Sequence, residues 1–251
     1  MNMKTPGSLL DQRPRLGTWL SIGSPVIAEL AAECGLGWVL FDLEHGCSSE
    51  SDLLSQLQAI RGLGAVGIVR VSAPHPDIIA RALDWGAQGI MVPHVNSAAE
   101  AEMIVRAVHY PPRGRRGYSR TVRAHRFGLR SPDDLPSPLI FAQIETVDAV
   151  ENAEEIAKVD GVDVLFVGPS DLNFDLKAHP KPTNPNYAEC VKKVAGATAA
   201  VGKSCGILIR DARELTELRK QGFTWLAVDS DLSILRHRYQ NLVEDFATNT
   251  S

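Results

Sequence analysis

The sequence predicts a closed (β/α)8 barrel, one domain spanning residues 1–251. Three observations carry that prediction. Short apolar segments alternate with helical segments along the whole chain, eight of each. Segments such as WVLFD and VDVLFVG are apolar almost throughout, as parallel strands covered on both faces must be. The length of 251 residues matches the roughly 250 typical of this barrel. An open, doubly wound sheet would call for a GxGxxG turn joining a strand to a helix, and none is present.

In chain order, the strand Leu16–Ser21 is followed by the helix Val26–Cys34, and Trp38–Asp42 by Ser51–Arg61. Val66–Arg70 leads to Pro76–Trp85, and Gly89–Val92 to Ala98–His109. Leu139–Glu145 precedes Val147–Val159, and Val162–Val167 precedes Tyr187–Val201. Ser204–Ile209 leads to Arg213–Gln221, and Trp225–Val228 to Ser230–Ala247. Two stretches interrupt the rhythm. Pro111–Pro138 is long and rich in arginine, glycine and proline, and FDLKAHPKPTNPNY follows the sixth strand. Loops of such length are functional or disordered, and both are expected at the C-terminal ends of strands, where barrel enzymes act.

Composition narrows the function. With 44% hydrophobic and 22% charged residues the chain can bury a large core without staples. A net charge of −4 gives no attraction to nucleic acid or to an anionic membrane. Cys34, Cys47, Cys190 and Cys205 form no CxxC pair, so thiols of a reducing compartment are expected rather than disulfides or a zinc site. No apolar run reaches the length of a signal peptide or membrane span, which predicts a cytoplasmic protein. Arg113, Arg115, Arg116, Arg120, Arg123, Arg126 and Arg130 crowd one loop, but aromatic residues are sparse there and the rest of the chain is acidic. A solvated loop or subunit contact is expected rather than RNA binding, with a role in receiving a distal substrate carboxylate or sugar-acid hydroxyls as the alternative.

Charged residues at strand ends are the candidate chemistry of a barrel. The second strand ends in Asp42, Glu44 and His45, the third in Arg70, the fifth in Gln143 and Glu145, and the sixth runs into Ser170 and Asp171. Side chains alternate along a strand, so Gln143 and Glu145 share a face. Burying them is costly without partners. An internal ion pair with Arg70 would satisfy them; so would a ligand at the barrel mouth. Glu145 and Asp171 come from consecutive strands and can converge as two hard oxygen donors for Mg²⁺, Mn²⁺ or Co²⁺. Acid–base work by the paired carboxylates alone is the alternative. A histidine with a carboxylate partner, here His45 with Asp84, makes a base tunable near neutral pH.

The ordered set GTWLSIGSP, VLFDLEHG, VGIVRV, ALDWGAQGIMVPHV, VHYPPRGRRGYS, FAQIET and GVDVLFVGPSDL resembles the HpcH/HpaI aldolase family, from about Leu16 to Ala227. That family includes 4-hydroxy-2-oxoheptanedioate aldolase and 2-dehydro-3-deoxyglucarate aldolase. The resemblance implies a TIM barrel of the phosphoenolpyruvate/pyruvate type and a metal-dependent (class II) pyruvate aldolase of aromatic or sugar-acid catabolism. It would cleave a 4-hydroxy-2-oxo acid reversibly to pyruvate and an aldehyde through an enolate stabilised by Mg²⁺, Mn²⁺ or Co²⁺. It implies Glu145 and Asp171 as metal ligands, and Arg70 and Gln143 as holders of the pyruvate carboxylate and carbonyl. Gly168, Pro169 and Ser170 match the turn lying against pyruvate, and Trp19 is a further candidate substrate contact. His45 steadied by Asp84 matches the proton-transfer dyad, and Asp42 is similar to an active-site carboxylate. His94 departs from the diacid aldolases, which carry methionine or phenylalanine there, and resembles macrophomate synthase, a relative that decarboxylates oxaloacetate. It is a candidate substrate contact.

The same residues allow an oxaloacetate decarboxylase or macrophomate-synthase-like enzyme, and, in another class, a non-catalytic 2-oxo-acid-binding barrel. No nucleotide is implied. A Schiff-base route would need a lysine at a strand's C-terminal end, and Lys4, Lys158, Lys177, Lys181, Lys192, Lys193, Lys203 and Lys220 fall elsewhere. Members of the family commonly form homo-hexamers that exchange the last helix. Leu232, Leu235, Tyr239, Leu242 and Phe246 give the segment 230–247 an apolar stripe suited to that, or to packing on its own barrel.

Overall fold

The computed structural model describes residues 13–180 and 183–249; Lys4 and Lys181 lie outside them. Eight strands close in sequence order into a barrel, every neighbouring pair parallel. They are β1 (Arg15–Leu20), β2 (Trp38–Asp42), β3 (Val66–Arg70), β4 (Gly89–Val92), β5 (Leu139–Ile144), β6 (Val164–Val167), β7 (Ser204–Ile209) and β8 (Phe223–Ser230). The helices outside it are α1 (Pro25–Glu33), α2 (Glu50–Ala59), α3 (Pro76–Asp84), α4 (Ala98–Val108), α5 (Val147–Glu151) and α6 (Ala153–Lys158), continuing with α7 (Pro169–Ala178), α8 (Tyr187–Ala200), α9 (Leu215–Lys220) and α10 (Asp231–Asn249).

Strand alternation divides the apolar residues into two cores. Val39, Phe41, Val69, Ile140, Ala142 and their equivalents pack outward against the helices. Trp19, Trp38, Leu40, Ile68, Phe141, Phe166 and Trp225 fill the barrel interior. Trp225 meets its neighbours edge to face, with centroids 5.5 Å apart for Trp38–Trp225 and 4.9 Å for Phe141–Trp225. Full burial of each contributes about 1.5–3 kcal/mol. Glycines provide the room: a Cβ on Gly17 would lie 2.3 Å from the Trp38 ring, and one on Gly206 2.4 Å from Phe166.

Several expectations are corrected here. The single helix expected over Val147–Val159 is two, broken at Asn152. The stretch after β6 is not a loop throughout, because α7 runs through its first part. Proline at the first helical position and an acid in the first turn, Pro169 and Asp171, are the start signals that mark it. The arginine-rich segment leaves the end of α4 and enters β5 at its beginning, so it lies at the N-terminal face and not, as expected, at a strand's C-terminal end. Arg113 pairs there with Asp160 at 3.1 Å, and Arg123 donates to the Leu57 carbonyl at 3.2 Å. Within one chain these arginines are remote from the strand ends that carry the candidate chemistry. Finally, α10 buries only Asp231 and Ser233, and Leu232, Tyr239, Leu242 and Val243 are exposed. Most of its apolar stripe is therefore turned to solvent in the single chain, although Leu235 is half-buried.

Among the described residues no helix is long and apolar enough to cross a membrane.

Candidate active site

The inward-facing register of the strands continues upward past the aromatic layer and changes chemistry there. On β2 it runs Trp38, Leu40, Asp42; on β3, Val66, Ile68, Arg70; on β5, Leu139, Phe141, Gln143, and one step beyond, Glu145. Parallel pairing sets Asp42 directly beside Arg70. The polar cluster therefore needs no special backbone: alternation delivers it to the C-terminal mouth.

Arg70 is the most constrained member. Its Nε and Nη2 donate to Asp42 at 2.9 and 2.6 Å, and Nη1 lies 2.8 Å from Glu44 Oε2. Burial pulls the guanidinium pKa down, but hydrogen bonding and charge from Asp42, then the charge of Glu44, more than offset it. Arg70 thus stays a fixed positive charge, with most of its donor fork already engaged. Asp42 also accepts the backbone N–H groups of Glu44 at 3.0 Å and His45 at 3.2 Å. It anchors the turn and the arginine rather than standing free as a catalytic acid. Gly46 lets that turn close, since a Cβ there would sit 2.2 Å from the Asp42 carbonyl oxygen. Trp19, expected against substrate, is 4% exposed and lies under Arg70, whose guanidinium carbon is 5.4 Å from its ring centroid. It is a floor for the cation.

Glu145, 1% exposed, does not pair with Arg70 as an internal ion pair would require. Its Oε1 accepts the backbone N–H of His94 at 2.7 Å, and the His94 Nδ1 stands 3.2 Å from the same oxygen. Burial pushes the carboxyl pKa up to about 7; the His94 contacts lower it, and the charges of Asp171 and Glu44 raise it. Asp171 enters from the first turn of α7, close enough for its charge to be felt at Glu145.

The residues present fit a divalent cation. Among the described residues, Glu145 Oε2 and Gln143 Oε1 are buried acceptors with no hydrogen-bond partner, a costly arrangement unless something else satisfies them. Gly168, the residue before α7, keeps the space beside them open: a Cβ there would lie 2.5 Å from Glu145 Oε2 and 2.9 Å from Gln143 Nε2. Among the described residues no three His, Cys, Asp or Glu side chains are grouped to hold a metal alone. Two protein carboxylates, with water and substrate oxygens completing the sphere, match an ion that keeps open positions.

His45 and His94 both face the mouth, with side chains 65% and 56% exposed and each Nε2 3.8 Å from Glu44 Oε1. Ser170 is exposed beside them, on the turn that Gly168 and Pro169 begin. Asp84 is the exception. It is the last residue of α3, toward the opposite face, and its Oδ1 accepts from Arg116 at 2.5 Å. The expected His45–Asp84 dyad does not form within one chain, because the helix carries its end away from the mouth. The sequence reading assigned no role to Glu44, although it is the carboxylate that Arg70, His45 and His94 share; its inward alternation with Asp42 was the available signal.

A model of the HpcH/HpaI aldolase/citrate lyase family matches residues 15–238. The 5-keto-4-deoxy-D-glucarate aldolase of Salmonella paratyphi C is 34% identical over 247 residues, 97% of this chain and 96% of its own. An HpcH/HpaI aldolase/citrate lyase family protein from Burkholderia cenocepacia J2315 is 32% identical and aligns with a TM-score of 0.88 over 96% of this chain and 98% of that one. Macrophomate synthase is 26% identical, with a TM-score of 0.78 over 94% of this chain and 86% of its own.

Proposed function

Since the chain belongs to the HpcH/HpaI aldolase/citrate lyase family, a family of carbon–carbon lyases, we propose that it is a divalent-metal-dependent pyruvate aldolase acting on a 4-hydroxy-2-oxo sugar acid. The observation that carries this proposal is the pair of unpartnered buried oxygens, Glu145 Oε2 and Gln143 Oε1, held open by Gly168.

Glu145 and Asp171 would hold the ion, Mg²⁺, Mn²⁺ or Co²⁺. When bound, such an ion neutralises the negative charge that bond cleavage leaves on the 2-oxo oxygen. Arg70 supplies a second positive charge, kept in place by Asp42, Glu44 and the Trp19 ring. The Gln143 amide and the turn Gly168–Ser170 would seat the three-carbon end. In the cleavage direction a base takes the proton from the 4-hydroxyl, the C3–C4 bond breaks, and its electron pair forms the C2–C3 double bond of the enolate. An aldehyde leaves, and a proton returned to C3 completes pyruvate. His45, exposed at the mouth and 3.8 Å from Glu44, is the residue we assign to that proton transfer. Asp84 could steady it only from another copy of the chain. The exposed stripe on α10 supports assembly into a homo-oligomer, and we propose the hexamer common in the family.

Two observations favour a second reading. His94 at the mouth and the likeness to macrophomate synthase fit an enzyme that makes the same enolate by decarboxylating oxaloacetate.

Incubation with pyruvate in D2O, followed by proton NMR of the methyl group, tests enolate formation. Exchange is expected with Mg²⁺ or Mn²⁺, to be abolished by EDTA and lost in Glu145→Ala and Asp171→Ala. No exchange with any divalent ion would leave a binding barrel instead. Oxaloacetate and a panel of aldehydes, supplied in parallel, rank decarboxylation against aldol addition.

A further inference from the structure

We infer that His94 is a positioning residue for Glu145: its backbone N–H and its ring together hold Oε1, so that Oε2 is the oxygen presented to the cation. The inference deepens the metal-dependent aldolase proposed above and rests on it.

The backbone at His94 is left-handed, φ +53°, a conformation that a side-chain-bearing residue adopts at a cost. That strain has a visible consequence. Turning the chain there aims two successive N–H groups from the loop after β4 toward β5, that of His94 to Glu145 Oε1 at 2.7 Å and that of Val95 to the Gln143 carbonyl at 3.2 Å. Both residues that carry the unpartnered acceptors are thereby tied to one loop. The imidazole adds a third contact, Nδ1 at 3.2 Å from the same Oε1, while Nε2 reaches toward Glu44 Oε1 at 3.8 Å.

The result is an asymmetric carboxylate. The His94 N–H donates to Oε1 and the imidazole Nδ1 lies 3.2 Å from the same oxygen, while Oε2, against Gly168, has no hydrogen-bond partner among the described residues. A carboxylate free to rotate would present either oxygen; one gripped on a single side presents the other in a fixed direction. Hydrogen bonds of this kind orient metal-binding carboxylates and set affinity. The ring faces Oε1 and not the open side, so His94 acts through Glu145 instead of binding the ion itself. Asparagine is the natural conservative replacement, since it tolerates the left-handed conformation and carries an amide donor.

Mn²⁺ is the probe. Its binding is followed through the free-ion EPR signal for the wild-type chain, His94→Gly and His94→Asn, with thermal melts to establish folding. His94→Gly keeps the N–H, relieves the strained backbone and removes the ring; it should bind Mn²⁺ about 10-fold more weakly, the low end of the range for such a loss. His94→Asn should recover most of that difference. Electron spin echo modulation of the wild-type Mn²⁺ complex should show no directly coordinated imidazole nitrogen, a result that does not depend on either variant folding. Unchanged affinity in His94→Gly, or a directly coordinated nitrogen that vanishes in it, would overturn the positioning role and leave the aldolase standing. Failure of the wild-type chain to bind Mn²⁺ at all would overturn both.

Discussion

Placing a methyl group at Gly168 is the sharpest perturbation the site offers. The residue has φ −95°, ordinary for any amino acid, so Gly168→Ala carries no backbone penalty and lowers the entropy of the unfolded chain. Its effect is therefore confined to what the new Cβ meets. That atom would lie 2.5 Å from Glu145 Oε2, 2.9 Å from Gln143 Nε2 and 2.9 Å from Glu145 Cβ. Carbon contacts of this kind normally open at about 3.5 Å or more, so the overlap is on the order of 0.5–1 Å. Both neighbours are buried, Glu145 1% and Gln143 3% exposed, so what they yield must come out of the space proposed for ion and substrate. Overpacking of this size costs about 1–3 kcal/mol of stability. A displacement approaching 1 Å in the groups that bind substrate and ion costs about 10²-fold in turnover. Activity should accordingly collapse while the protein remains folded. The assay pairs steady-state aldol cleavage, followed through pyruvate release, with circular-dichroism melts and Mn²⁺ titration. Wild-type turnover and Mn²⁺ affinity in a folded Gly168→Ala protein would refute the placement of the site beside this glycine.

Two further outcomes follow from the same geometry. Burial holds the Glu145 carboxyl at about 7 and that of Asp163 at about 6, both above ordinary carboxylate values. The folded chain keeps these protons where the unfolded chain has released them, so the two groups make the EDTA-treated protein lose stability as pH rises from about 4 to about 7. Between pH 6 and 7 Glu145 carries most of that slope; melts of Glu145→Gln should be flatter there than wild type, and an equal slope would contradict the assignment. Asp84→Ala leaves the buried Arg116 guanidinium without its carboxylate, with the Tyr110 ring 4.6 Å away as its remaining contact among the described residues. Urea denaturation should show a loss of about 3 kcal/mol, and no loss would show that the pair contributes little.

The barrel was legible because its determinants are local and repetitive. Apolar runs such as WVLFD and VLFV need cover on both faces, and eight of them in alternation with helices leave few architectures. Boundaries failed where tertiary contacts override pattern: Asn152 interrupts a continuous helical period, and α7 runs on into a segment whose later prolines suggest a loop. The arginine-rich segment misled for a different reason. Its composition resembles an active-site loop, but the chain order places it after a helix, and in a barrel that alone assigns it to the N-terminal face.

The site was readable as a list of residue types and not as a set of bonds. Alternation correctly puts Asp42, Arg70 and Gln143 on the inward face, yet it cannot say that Arg70 turns to Asp42 and Glu44 rather than to Glu145. The His45–Asp84 pairing is what the resemblance implies; in a single chain Asp84 ends α3 beside Arg116. Least legible was His94. Nothing in MVPHV announces a left-handed backbone, and it is the fold of the loop over β5 that converts an N–H into a hold on Glu145.

The most direct test of the cation-binding carboxylates is anomalous diffraction from crystals of the protein soaked with Mn²⁺ and pyruvate. A single strong anomalous peak is predicted within bonding distance of Glu145 Oε2 and an Asp171 carboxylate oxygen. A peak elsewhere, or density in which these two side chains turn away from a bound pyruvate with no ion between them, would contradict the account.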